Sequence, residues 1–177
     1  MRQSAGVKPL VRHPFVVPLL LALALNGCGH APTKPSRTSA ATVVVPANTN
    51  AIDAANAVLF RAMSLVGTPY HWGGNTPNSG FDCSGLVTYI FRDAASVILP
   101  RQSATMGSIP GRELSRRQLQ SGDLVFFAGG RSISHVGVYV GENEFVHAPN
   151  TGGTVRLDNL DGTWWKDHFV YGKRVFR

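Results

Sequence analysis

Three side chains in this sequence are of the types that nucleophilic catalysis uses, a nucleophile and candidate bases: Cys83, His135 and His147. Cys83 stands in Phe81-Asp82-Cys83-Ser84-Gly85-Leu86-Val87, where a glycine-rich stretch runs into an amphipathic segment. A thiolate, not a thiol, attacks a carbonyl, so such a cysteine needs a neighbour that takes its proton or favours its charge. A helix N-terminus and an imidazole both serve that end, and the expectation is a thiol of lowered pKa. A free cysteine is also at home as a small buried hydrophobe, and the motif alone leaves both readings open. The chain has two cysteines. If Cys28 is spent on a lipid, as argued below, Cys83 has no intramolecular disulfide partner, which marks it as a reactive thiol.

The elements that must position these groups follow from periodicity. Asn50 is a helix cap with Asp53 in the first turn, and the spacing predicts a helix over Ala51 to Val66 with Ile52, Ala55, Leu59, Met63 and Val66 on its inner face. Gly67 and Pro69 end it. A second helix is predicted over Cys83 to Ala95, capped by Asp82, with Leu86, Val87, Ile90, Phe91 and Ala94 inward. Beyond Pro100 short apolar runs occur at Asp123 to Phe127, Ser134 to Val140, Glu144 to Ala148, Thr154 to Leu157 and Val170 to Phe176, the pattern of a small antiparallel sheet. Helices followed by strands indicate an α+β fold.

The hairpin from Ser134 to Ala148 decides whether the two histidines meet. A three-residue loop Gly141-Glu142-Asn143, with Asn143 left-handed, sets Gly137 opposite His147 and puts His135 on the same face. The two imidazoles are then diagonal neighbours about 7 to 8 Å apart at the backbone, with Gly137 leaving room between them. A four-residue loop would send them to opposite faces.

The N-terminus reads as an export signal. Arg2, Lys8 and Arg12 precede an apolar stretch from Phe15 to Leu25 that is too short to span a bilayer, and Leu25-Asn26-Gly27-Cys28 follows. This resembles a bacterial lipoprotein signal, which implies cleavage before Cys28 and acylation there. Gly29 in place of an aspartate implies the periplasmic face of the outer membrane. Residues 28–50 carry the lipidated cysteine and a linker of Pro, Thr, Ser, Ala and Asn without aromatic residues. Its 22 residues after Cys28 span about 26 Å as a flexible coil. Residues 51–177 form a single domain. Removing residues 1–27 takes three basic and no acidic side chains, so the net charge falls from +7 to +4. A basic surface suits an anionic polymer, but no basic run or aromatic-interleaved stripe points to nucleic acid.

Six segments now fall into one pattern: Gly67-Thr68-Pro69-Tyr70-His71-Trp72-Gly73-Gly74, Phe81-Asp82-Cys83-Ser84-Gly85, Leu99-Pro100-Arg101, Gly122-Asp123-Leu124-Val125-Phe126-Phe127, Ser134-His135-Val136-Gly137-Val138-Tyr139 and Phe145-Val146-His147-Ala148. In order and content they resemble the motifs of the NlpC/P60 cysteine peptidases, most of all the single-domain murein endopeptidase lipoproteins among them. The resemblance implies a papain-like fold, with N-terminal helices packed on a small antiparallel sheet, and hydrolysis of peptidoglycan stems or cross-links. It implies Cys83 as nucleophile, His135 as base and acid, His147 as the orienting residue and Tyr70 as an oxyanion donor. No cofactor or metal is implied; the partners are peptidoglycan peptides and the membrane that holds Cys28, and the oligomeric state is open. So is the bond, either D-glutamate to diaminopimelate or D-alanine to diaminopimelate.

Two other readings use the same residues. One is an inert wall-binding lipoprotein that keeps the scaffold. The other is a zinc site, since Cys83, His135 and His147 are acceptable zinc ligands, although no compact CxxC or HExxH spacing accompanies them. Arg101 either meets an acidic substituent or braces the fold, Trp72 is a candidate groove residue, and Trp164 and Trp165 are expected to pack in the core or at a sheet edge. Asp82 is expected to cap rather than react.

Overall fold

The computed structural model describes residues 42–47 and 50–176; the leader, Cys28 and residues 29–41 of the linker lie outside them. In chain order the elements are α1 (Ala51–Ser64), β1 (Asn75–Thr76), β2 (Gly80–Phe81), α2 (Cys83–Ala95), α3 (Ser103–Gly107), β3 (Glu113–Leu114), β4 (Leu124–Phe127), β5 (His135–Gly141), β6 (Glu144–His147), β7 (Arg156–Asn159), α4 (Trp165–His168) and β8 (Phe169–Lys173). Six strands form one antiparallel sheet in the order β3-β8-β4-β5-β6-β7, and β1 pairs with β2 separately. This is the expected α+β arrangement.

Alternation along the strands divides the interior into two layers. Leu124, Phe126, Val136, Val138 and Val146 meet the helices, packing with Leu86, Val87, Ile90 and Phe91 of α2. Val125, Phe127 and Phe145 point the other way and pack with Leu160, Trp165 and Phe169. His135 and His147 share the parity of Phe127's layer, so the hairpin carries both imidazoles on the sheet face away from the helices.

α2 has the bounds the sequence predicts, and Asp82 caps it by accepting the N–H of Gly85 at 2.6 Å. α1 starts at Ala51 under the Asn50 cap and stops at Ser64, two residues early. Its inner face differs from the predicted one. Ala54, Val58, Ala62 and Leu65 are buried, while Ile52 is 72% exposed and Met63 and Val66 also face outward. Of the predicted inner face, Ala55 is partly buried and packs closely: a Cβ on Gly122 would sit 3.1 Å from it.

The hairpin keeps the predicted register by a different turn. Val138 pairs with Val146 and Tyr139 with Phe145, which sets Gly137 against His147. The loop, however, is the two-residue turn Glu142-Asn143, with φ of 48° and 63°, and a bulge between Tyr139 and Gly141 absorbs the extra residue. The linker also reaches the domain: Val44 forms an antiparallel bridge with Ile98.

Candidate active site

Cys83 is the first residue of α2, where helix and sheet meet. The backbone N–H groups of Ser84 and Val136 are near enough to its sulfur to favour the thiolate, which places the thiol by the start of β5, the strand that opens with His135. Gly85 permits this docking, because an added Cβ would collide with the carbonyl of Gly74 in the loop before α2. Burial, then the charge of Asp82, push the thiol pKa up, and the N–H groups of Ser84, Val136 and Cys83 only partly offset them. The expected lowering by the helix start is thus outweighed, and the thiol is protonated at rest.

His135 Nε2 lies 2.9 Å from His147 Nδ1, with the rings perpendicular and their centroids 5.0 Å apart. His147 is fully buried and His135 is 8% exposed. Burial, reinforced for His135 by His147, lowers their pKa values to about 3 and about 4 against Asp158's opposing pull. Both rings are neutral.

His147 Nε2 lies 3.0 Å from Asp158 Oδ2 on β7. Since the imidazole is neutral, this is a hydrogen bond to an anion rather than an ion pair. The same oxygen accepts from Trp165 Nε1 at 2.8 Å and from Arg156 Nη2 at 2.8 Å. Burial raises the Asp158 carboxyl, but the bonds from Arg156, the neighbouring His147 and the Trp165 N–H outweigh it, and the net shift is downward. Trp165 stacks its edge against His147 at 4.7 Å and lies 5.3 Å from His135, closing the pair off from solvent on one side.

Two cavities meet at Ser134. One, of about 390 Å³, is lined by Tyr70, Trp72, Asp82, Cys83 and Arg101 among others. The second, of about 360 Å³, is lined by His135, Asn150, Arg156, Trp164 and Trp165 with Ser134 and Pro149. Nucleophile and base therefore line adjacent cavities that share Ser134. Burial and the charges of Cys83 and Asp82 raise the Tyr70 phenol, keeping it a donor. Arg101 holds Asp82 with Nη1 to Oδ1 at 2.9 Å and Nη2 to Oδ2 at 2.7 Å, and also reaches Ser84 Oγ at 2.7 Å. Burial raises the Asp82 carboxyl, and the Arg101 contacts with the N–H groups of Gly85 and Gly73 more than reverse it.

Residues 67–174 match the NlpC/P60 family. The chain belongs to that family. It is similar to the probable endopeptidase NlpC of Escherichia coli, at 35% identity over 165 residues, covering 91% of this chain and 99% of that protein. It is also similar to the murein DD-endopeptidase MepH of Escherichia coli, at 40% identity over 118 residues, 65% of this chain and 44% of MepH. The chain thus spans less than half the length of MepH. Among solved structures, the NlpC/p60 domain of the peptidoglycan hydrolase SagA superposes with a TM-score of 0.60 at 28% identity, covering 67% of this chain and 97% of that one.

Within the NlpC/P60 domain, the structure brings Cys83, His135, His147 and Tyr70 to one place. Arg101 braces the start of α2 through Asp82. Trp72, at 83% exposed, is on the cavity rim. Trp165 packs as expected, but on the imidazoles. Asp158 is the residue that sequence reasoning missed; its place two residues beyond Arg156 in an alternating strand was the available signal. Among the described residues no group of three His, Cys, Asp or Glu side chains is arranged to hold a metal ion.

Proposed function

We propose that this protein is a peptidoglycan endopeptidase working by cysteine catalysis. Cys83 attacks a peptide carbonyl of a murein stem or cross-link as His135 takes the thiol proton. His135 then protonates the leaving amine, and water releases the acyl group from Cys83. The thiol is neutral at rest, so proton transfer accompanies attack. His147 orients His135 through their shared hydrogen bond. The N–H of Cys83 and the Tyr70 hydroxyl are the donors for the oxyanion.

The observation that carries this reading is the 2.9 Å bond between His135 and His147 beside the thiol at the start of α2. It also disfavours a zinc site, because the two facing nitrogens bond each other instead of converging on a cation. An inert wall binder would have no use for that arrangement. The relatives add the substrate class: MepH is named a murein DD-endopeptidase, and CwlT of Bacillus subtilis, 37% identical over 121 residues, a muramidase and DL-endopeptidase. Both bond types therefore stay within the proposal.

Digestion of purified sacculi followed by mass spectrometry of the released muropeptides tests it. Wild-type protein releases stem or cross-link fragments; thiol alkylation stops this and a chelator does not. Release that a chelator abolishes and an alkylator spares would overturn the cysteine reading. The same proposal anchors the domain by an acylated Cys28 at the periplasmic face of the outer membrane, on the support of Leu25-Asn26-Gly27-Cys28.

A further inference from the structure

β7 is the edge strand of the sheet, and its register places Arg156 opposite His147 and Asp158 opposite Phe145. Residues two apart on a strand share a face, so Arg156 and Asp158 both stand on the side that carries the imidazoles. Four donor atoms converge on Asp158 Oδ2: His147 Nε2 at 3.0 Å, Trp165 Nε1 at 2.8 Å, and Arg156 Nη2 at 2.8 Å and Nε at 3.2 Å. An indole and a guanidinium only donate, so the oxygen they meet is an acceptor.

We infer that Asp158 is a positioning residue that fixes the tautomer of both imidazoles and so leaves the base nitrogen of His135 bare. The inference rests on the cysteine-peptidase reading for its purpose, but not for its geometry. The carboxylate accepts from His147, so the hydrogen of that contact is on His147 Nε2. A neutral ring carries one N–H, which makes His147 Nδ1 an acceptor. His135 Nε2, 2.9 Å away, must then be the donor. That uses the single hydrogen of His135. Its Nδ1 holds a free lone pair, the one position from which the ring can take the thiol proton.

Without Asp158 the chain of donors has no fixed direction. His147 is then free to carry its hydrogen on Nδ1, where it would point at His135 Nε2 and turn that atom into an acceptor. His135 would hold its hydrogen on Nδ1 and be unable to act as a base. Arg156 and Trp165 complete the device by holding the carboxylate ionised and in place. When His135 becomes an imidazolium, Asp158 is the nearby anion that balances it through His147.

Two-bond proton–nitrogen correlations of the imidazole rings, recorded on labelled protein at neutral pH, read the tautomers directly. Wild type is expected to show both histidines with hydrogen on Nε2. Asp158→Ala is expected to average His147 between tautomers and lower turnover on a defined muropeptide on the order of ten- to a hundredfold, less than the loss of the base itself. Asp158→Asn, isosteric and with its amide oxygen facing the same donors, is expected to keep the wild-type ring pattern and to lose less turnover than Asp158→Ala, its loss being that of the balancing charge. Hydrogen on Nδ1 of either ring in wild type, or an unchanged pattern and turnover in Asp158→Ala, would overturn the inference. Because the wild-type rings are decisive, a poorly folding Ala variant does not remove the test. Correct tautomers in a wild type that cuts no murein would refute the endopeptidase reading and leave the positioning intact.

Discussion

Gly137 lies against His147 across the hairpin: a Cβ at position 137 would sit 3.3 Å from the Cβ of His147 and 2.7 Å from the ring of Phe145. The strand can carry two imidazoles side by side only because the position between them and Phe145 is empty. Gly137→Ala is therefore expected to crowd a packed aromatic layer, costing about 1–3 kcal/mol. It should also turn His147 away from His135. Urea unfolding and muropeptide turnover check this; a variant with wild-type turnover would show that the imidazoles tolerate the methyl.

Cys83→Ala is expected to abolish turnover with little change in circular dichroism, because the thiol contributes the reacting sulfur and lies at the first position of α2. Cys83→Ser should be equally inactive, since an alcohol ionises far less readily than a thiol. Wild-type turnover in the alanine variant would remove the cysteine mechanism.

Substitutions at the imidazoles should rank. His147→Asn keeps part of the activity, because an amide oxygen can accept the His135 N–H. His147→Ala should be worse, and His135→Ala worse again, as it removes the base, a contribution of about 10²–10⁴ in rate. Turnover on one muropeptide across pH measures all three; His135→Ala losing less than His147→Ala would exchange or void their roles.

The buried imidazoles also set a pH dependence of stability. In the fold their pKa values are about 3 and about 4, against 6.5 ordinarily. The unfolded chain binds protons there first, so their contribution is complete above pH 6.5 and is lost as pH falls toward 4 and then 3. The urea midpoint is expected to drop over that interval in wild type and less steeply in His135→Gln/His147→Asn. Equal slopes in the two proteins would assign the dependence to other groups.

The mature protein is expected to begin at an acylated Cys28. Labelling with a fatty-acid analogue should mark the intact chain and not Cys28→Ala. If the alanine variant still labels and stays with the membrane, the anchor lies elsewhere and the outer-membrane placement falls with it.

The bounds of α2, its Asp82 cap and the shared face of His135 and His147 were legible because local rules govern them: side-chain capping, helical period and strand alternation. The inner face of α1 was not. Ile52 and Met63 outrank Ala54 and Ala62 in hydrophobicity, but which side of α1 is covered is set by the elements packed on it and not by the helix's own periodicity. Asp158 was invisible for another reason. Its contact with His147 spans two strands, and its partners Arg156 and Trp165 acquire meaning only when β7 and α4 are brought beside the hairpin. The turn Glu142-Asn143 was misjudged because a bulge one residue earlier gives the same register as a longer loop.

The raised pKa of Cys83 has a bearing on chemical lifetime. Peroxide and related oxidants attack the thiolate, and the first product, a sulfenic acid, proceeds to irreversible acids when no second thiol resolves it. Among the described residues Cys83 is the sole cysteine, so none of them can rescue it. Holding the sulfur as a half-buried, protonated thiol until a substrate carbonyl arrives restricts its nucleophilic form to the moment of turnover. The features that delay ionisation of Cys83 thereby guard it against oxidative damage between encounters with substrate.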